Sequence, residues 1–509
     1  MLKNGNQFKF ICMMIYLIII FCLCKINICN HIIIIKIEGS GNQMFINKNR
    51  IQDVTSISFS STHIDFDQSN VIPLEGEETI ITIEFDLTKM QSLYNLFKNC
   101  ENITEIDLSH FDSSSVNDSA LMFEGCSKLK SINFQNFDTS KVTTMEKMFK
   151  DCISLESLNL SNFNTINVIN MCYMFNGCKI LILLDVSNFN TSEVNYMQNM
   201  FEGCSKIYSL DLSHFNTSKV LDMTQMFDGR NEMKYINISN FDTTKVTSME
   251  KMFKDCFNLE SLNLSNFKRN NATNMCYMFN GCNELISLDI TNLYTSEVIY
   301  MQNMFEGCRQ ICSLDLSHFD TSKVKNMMQM FDGCNNLNYL DISNFDTNQV
   351  TSLEKMFKDC HNLISLNLTK FNTDNVENMC FMFKECINLN SLDLTNFNTS
   401  NVTYMHHMFE GCIKLSSLNL SNFKTPKVVD MEQMFDRCYA LKFLDISNFD
   451  ISKVRNMEKM FKDCYNLISL NLSNFKTSAV EKVCYMFDGC YNLTLLDISY
   501  FVTSKVKYM

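Results

Sequence analysis

The sequence predicts an α/β solenoid, and three observations lead to that prediction. Cysteines recur every 26 residues from Cys100 to Cys490, with one vacant slot that holds Arg230. Each unit contains a short segment with apolar residues at alternate positions, which is typical of a strand with one buried face. Each also contains a segment with apolar residues at helical spacing. A strict period of this length indicates stacked repeats that share one core.

The composition limits the class of protein. The chain has 509 residues, of which 46% are apolar and 19% charged, so it is long enough to bury a large core. Its formal net charge is −13, and no run of Lys or Arg stands out. Because a phosphate backbone is bound by clustered basic side chains, we expect no nucleic-acid partner.

Residues 1–30 are predicted to be a signal peptide or a signal-anchor. Lys3 and Lys9 precede the apolar run FICMMIYLIIIFCLC, which occupies residues 10–24. That run is short for a bilayer span, which needs about 20 residues, but it suits an export signal. We therefore expect a secreted or cell-surface protein that meets a membrane only through this segment, if the segment is not cleaved.

Residues 31–89 do not follow the repeat and are predicted to form a small β-rich N-terminal cap. HIIIIKIEG at 31–39 and ETIITIEFD at 78–86 have the composition of strands. The first repeat of a solenoid needs such a cover. Residues 90–509 then form one solenoid of about 16 units, the last of them incomplete.

Each unit divides into a predicted strand and a predicted helix. Leu158 and Leu160 alternate with polar residues and predict the strand, and Val168, Met171 and Phe175 follow at helical spacing. Strands that alternate with helices must pair in parallel. The predicted fold is thus a leucine-rich-repeat solenoid of 26-residue strand–helix units, with a parallel β-sheet on one face and helices on the other.

The repeat MFEGCSKIYSLDLSHFNTSKVLDMTQMF, residues 200–227, closely resembles the repeats of BspA-type leucine-rich-repeat surface proteins. The resemblance covers about four-fifths of the chain. It implies a non-enzymatic secreted or cell-surface protein that mediates adhesion or recognition of a host surface. Its implied partners are protein or glycan ligands on a surface or matrix. The alternative is a membrane-tethered or intracellular repeat scaffold for protein–protein interaction.

The repeated cysteines have two interpretations. Neighbouring units would place their Cα atoms about 5 Å apart, within reach of a disulfide in an exported protein. Alternatively, the cysteines are buried free thiols that act as small apolar side chains. No C-x-x-C pair or paired histidine completes a zinc ligand set, and no other cofactor motif occurs. The cysteines taken as representative of this column are Cys126, Cys152, Cys178, Cys204, Cys256, Cys282, Cys308 and Cys334.

The exposed face of the predicted sheet is the expected binding surface. An Asp or Asn recurs there in every unit, and stacked carboxylates could hold a hard cation or an array of sugar hydroxyls. The alternative is a solvated polar face whose Asn and Ser side chains bond along the ladder. This face has almost no aromatic residues. The candidate cation ligands are Asp185, Asp211, Asp289, Asp315 and Asp341.

Two further expectations concern glycosylation and catalysis. Asn190 and Asn216 lie in N-T-S sequons at predicted turns and are possible acceptors. The eight histidines are scattered, and no acid and base converge in the repeat frame. We therefore expect neither catalytic residues nor an enzyme.

Overall fold

A computed structural model gives the structure of the chain, and the predicted export signal at residues 1–30 lies outside the described residues. The chain divides into two compact units, one that ends at Val220 and one that begins at Leu221. The described residues are 31–59, 62–63, 68–74, 76–86, 90–472 and 475–509.

The first unit begins with an antiparallel sheet. Strand β1 alternates buried Ile33, Ile35 and Ile37 with more exposed neighbours, as expected for a strand with one face in a core. β1 and β3 each pair antiparallel with β6, and β2 pairs with β5. A 3-10 helix spans Lys48–Asp53 between β2 and β3. The six strands are Ile32–Glu38 (β1), Gly41–Met44 (β2), Val54–Phe59 (β3), Thr62–His63 (β4), Val71–Leu74 (β5) and Glu78–Phe85 (β6).

The repeats of the first unit continue this sheet. On the edge of β1 away from β6 lies β7, which pairs with β1 antiparallel and with β8 in parallel. The first solenoid strand is therefore hydrogen-bonded on both of its edges. The five repeat strands of this unit are Ile103–Asp107 (β7), Ser131–Asn133 (β8), Ser157–Leu158 (β9), Leu183–Leu184 (β10) and Ser209–Asp211 (β11).

The second unit is a stack of parallel strands in a register set by the 26-residue period. Ser313, Leu314 and Asp315 pair with Tyr339, Leu340 and Asp341, each one repeat later in the chain. The parallel arrangement confirms the predicted solenoid. Its strands are Tyr235–Asn237 (β12), Ser261–Asn263 (β13), Ser287–Asp289 (β14), Ser313–Asp315 (β15), Tyr339–Asp341 (β16), Ser391–Asp393 (β17), Ser417–Asn419 (β18), Phe443–Asp445 (β19), Ser469–Asn471 (β20) and Leu495–Leu496 (β21).

The predicted helices are wrong. The segment that follows each strand bonds to the next turn of the solenoid: Tyr173 N donates to Gln198 O at 3.0 Å, and Phe175 N to Met200 O at 2.9 Å. An α-helix would bond each N–H four residues back within the segment. The solenoid is therefore built from short strands and tight turns, and its second face carries no helices among the described residues. Nor does that part of the chain contain a helix suited to crossing a bilayer.

The backbone conformation explains why these segments cannot be helical. Tyr173 has φ 58° and Gly177 has φ 74°, and left-handed residues recur at the equivalent positions of other turns. Two left-handed residues four positions apart end any right-handed helix. Between them the chain makes tight turns, such as Asn176 N to Tyr173 O at 3.1 Å. A run of such four-residue turns buries a side chain every three or four residues, as an amphipathic helix does, so the apolar pattern did not distinguish the two.

The core of each unit consists of stacked side chains from successive turns. The rings of Phe305, Phe331 and Phe357 lie 5.6 and 5.8 Å apart between centroids, nearly parallel. A buried threonine in most turns forms hydrogen bonds to the main chain of the next turn. Thr321 Oγ1, for example, donates to Asp346 O and accepts from Asp346 N, both at 2.8 Å. These bonds satisfy main-chain groups that would otherwise be buried without partners.

Candidate binding surface

The Asp and Asn residues of the strand face cap the turn that follows each strand. Asp315 Oδ1 accepts a hydrogen bond from Ser317 N at 3.0 Å, and Asp341 Oδ1 accepts one from Ser343 N at 2.9 Å. Asn263 makes the same bond. Because Asp and Asn offer the same Oδ1 acceptor, this turn accounts for their exchange along the column. The bond also occurs at the other candidate cation ligands, Asp185, Asp211 and Asp289.

The described residues do not bring three or more of these aspartates together in one group. Asp315 and Asp341 are register partners, whereas Asp289 pairs with Asn263. Hydrogen bonds from the serine two residues on lower the pKa of both Asp315 and Asp341, so both are ionised at neutral pH. Among the described residues, no three His, Cys, Asp or Glu side chains are grouped to hold a metal ion.

The repeated cysteines from Cys126 to Cys464 lie in the core, where each thiol donates a hydrogen bond to a main-chain carbonyl of the preceding turn. Cys308 Sγ donates to Phe279 O at 3.2 Å, and Cys334 Sγ donates to Phe305 O at 3.2 Å. Burial raises the pKa of these thiols, because the thiolate would lose its hydration. The same bond is made by Cys126, Cys152, Cys178, Cys204, Cys256 and Cys282, all fully buried with reduced thiols.

Arg230, which takes the vacant cysteine slot, is fully buried. Its guanidinium carbon lies 6.0 Å from the centre of the Phe227 ring, within range of a cation–π interaction.

The two candidate glycosylation sites lie at exposed turns of the first unit. Asn190 Oδ1 accepts from Ser192 N at 3.0 Å, and Asn216 Oδ1 accepts from Ser218 N at 3.1 Å. The middle residue of the first sequon, Thr191, is buried and bonded to Asn216. The N-T-S pattern therefore also has a structural origin in the turn.

The strand face carries large exposed aromatic side chains, which corrects the expectation of a face almost without them. Tyr339 is 61% exposed and Phe443 is 62% exposed, and Tyr235 occupies the equivalent position. Most other strands carry Ser there, as at Ser313 and Ser391. Successive members of this set are 104 residues, or four repeats, apart. This regular spacing could have identified the aromatic positions from the sequence alone.

One family model matches most of the repeat region. The family described as "Mycoplasma protein of unknown function, DUF285" matches residues 91–209, 197–313, 278–367, 359–443 and 438–509. No curated protein matches the chain.

Two solved structures are similar at low identity. One is a leucine-rich cell-surface protein from Faecalibacterium prausnitzii A2-165, with 13% identity, a TM-score of 0.28, and coverage of 80% of this chain and 83% of that one. The other is the functional domain of InlJ from Listeria monocytogenes, which includes a cysteine ladder. Its identity is 17%, its TM-score 0.21, and the match covers 84% of this chain and 69% of that one.

Proposed function

This chain belongs to the DUF285 family, and from that premise we propose that it is a non-enzymatic secreted or cell-surface protein that binds ligands through its strand face. The resemblance of its repeats to BspA-type surface proteins supports adhesion or recognition of a host surface as the role. The proposed partners are protein or glycan ligands on a surface or matrix.

The observation that carries the proposal is the exposure of Tyr339 and Phe443. Both are more than 60% exposed at a position where the solenoid itself needs only a small polar residue. Four turns at about 4.8 Å each separate them by about 19 Å. Aromatic residues are enriched in the buried centres of binding interfaces, where they fill pockets of the partner.

Adhesion of the purified chain to immobilised matrix proteins and glycans tests this role. We expect Tyr339→Ser combined with Phe443→Ser to weaken adhesion at least tenfold, since Ser is the chain's own residue at this position in other turns. The matched control is Tyr300→Ser with Tyr404→Ser, which removes two tyrosines of 45% and 47% exposure from another column of the same unit. Equal adhesion by all three proteins would contradict the proposal.

Protease treatment of intact cells tests the location. We expect an epitope placed in the repeats to be removed from the cell surface. Full protection of the epitope would favour the intracellular scaffold instead.

A further inference from the structure

A shallow depression of about 350 Å³ lies on the second unit, formed by four successive turns. Ile364 lies at its centre, and residues 365–367 that follow form no strand, although the neighbouring turns contribute β16 and β17. The sheet is therefore interrupted at this place. The lining residues are Asn338, Asn362, Ile364, Asn388, Asn390 and Lys414.

Uncharged amides dominate the depression, in two columns. In one column Asn388 Nδ2 donates to Asn362 Oδ1 at 3.3 Å, so these amides form a ladder along the stack. In the other column Asn338 and Asn390 lie one turn before and one turn after Ile364. Both are exposed, and neither side chain has a hydrogen-bond partner among the described residues.

The remaining lining groups are apolar or positive. Ile364 is 52% exposed between the two amides. Lys414 is exposed at one end, without an ion-pair partner in the described part of the chain, and no carboxylate lines the depression. The surface thus offers an apolar centre, amides that both donate and accept, and one positive charge.

We propose that this depression binds an acidic oligosaccharide, an inference that rests on the proposed ligand-binding function. Each side-chain amide donates and accepts at once, which matches the paired hydroxyl groups of a sugar ring. The apolar face of the ring packs on Ile364, and the carboxylate of a uronic or sialic acid pairs with Lys414. Successive turns about 4.8 Å apart repeat these contacts along the chain of sugars.

The chain contains its own control for this site. The heptapeptide NLISLNL occurs at 362–368 and again at 466–472, four repeats later. Around the second copy the positions of Asn338 and Asn390 are taken by Lys442 and Thr494. Ile468 there is only 37% exposed, and the segment forms strand β20. The amide pair is one difference between the two copies, and Lys414 is another, since the second copy has no counterpart of this lysine among residues 1–509.

Titration of the full chain with hyaluronan, sialyl-lactose and chitin oligosaccharides, followed by NMR or calorimetry, tests the proposal. We expect the acidic oligosaccharides to bind and Asn338→Ser with Asn390→Ser to weaken that binding at least tenfold. The control variant, Lys442→Ser with Thr494→Ser, changes the equivalent positions four repeats later and should leave oligosaccharide binding unchanged. Lys414→Gln should remove the preference for acidic over neutral sugars.

Two outcomes would overturn the assignment. One is the absence of binding by every oligosaccharide, and the other is an equal loss in the two double variants. If adhesion still depends on Tyr339 and Phe443 in either case, only the assignment of this depression fails. If the Asn338 and Asn390 variant instead loses adhesion to an immobilised protein without any sugar binding, the ligand is a protein and the sugar assignment is wrong.

Discussion

At the scale of the residue, several side chains that recur along the stack bond main-chain groups. Thr321 bonds both main-chain groups of Asp346, and Asp315 caps its own turn. Cys308 donates its thiol hydrogen to a carbonyl one turn earlier. A buried main-chain group without a partner costs about 1–3 kcal/mol, so each of these residues stabilises the stack.

The cysteines give a prediction at this scale. Cys308 is fully buried and its pKa is raised by burial, whereas Cys312, in the same turn, is exposed. We expect iodoacetamide at pH 8 to modify Cys312 in the native chain and Cys308 only after unfolding, because reaction needs an accessible thiolate. Mass spectrometry of the alkylated peptides measures this.

The same experiment decides between thiols and disulfides. Denaturation without a reductant should make every cysteine of the column reactive. Column cysteines that stay unmodified until a reductant is added would contradict the free thiols seen in the structure.

At the scale of the element, turns that are four repeats apart have similar sequences but can differ in the partners of an equivalent buried side chain. Glu306 accepts hydrogen bonds from the amides of Asn280 and Asn303, both at 2.6 Å. Four repeats later Glu410, 4% exposed, is bound by charged or titratable groups instead. Its partners are Lys384 at 2.6 Å, His407 at 2.7 Å and Arg437 at 2.8 Å.

The charged partners of Glu410 predict that this side chain contributes to stability in a pH-dependent way. Burial alone would raise the pKa of Glu410, but hydrogen bonds from His407 and Lys384 outweigh it and lower the pKa to about 2. A group whose pKa is lowered by folding stabilises the protein above its ordinary pKa, here 4.5. That contribution is lost as the pH falls from there toward 2.

We expect Glu410→Gln to lower the free energy of unfolding by about 2 kcal/mol at pH 7, because Lys384 and Arg437 lose the negative charge and one of the two acceptor oxygens. The loss should shrink below pH 4.5, as the wild-type carboxylate becomes protonated. Urea unfolding across this pH range measures both effects. Glu306→Gln is the control and should cost about 1 kcal/mol or less, since its partners are neutral amides. Equal losses in the two variants would count against the role of charge.

At the scale of the whole molecule, a stack of repeats is stabilised by contacts between neighbours, so its first turn needs a partner on its outer side. In the first unit β1 supplies it by pairing with β7. We propose that residues 31–89 act as the N-terminal cap predicted from the sequence.

The cap gives a prediction that local hydrogen exchange can check. Ile35 is fully buried and lies opposite Ile81 on one side and Ile106 on the other. We expect Ile35→Ala to cost about 3 kcal/mol through the cavity it leaves, and to speed amide exchange in Ile103–Asp107. Ile35→Val should cost about 1 kcal/mol. Unchanged exchange in β7 with the alanine variant would show that the strand does not depend on β1.

The candidate site was predictable only in part. The sequence indicated the strand face as the binding surface, but the repeat frame did not predict its aromatic residues, because they occur only once in four repeats, as at Tyr339 and Phe443. The depression around Ile364 depends on side chains from four turns. Those residues come from turns 26 positions apart in the chain, so no local motif unites them.

By itself the sequence determined the period, the register and the buried side chains, because a strict 26-residue repeat can satisfy its core in only one alignment. It did not determine the path of the chain between strands. Burial of Met171 and Phe175 fits a helix and a run of tight turns equally well. The identical NLISLNL segments likewise form a strand at 469–471 and none at 365–367. Only the tertiary structure decided the path between strands and where strands form. The main-chain hydrogen bonds that decide both join one turn to the next, so they leave no pattern in the sequence of a single turn.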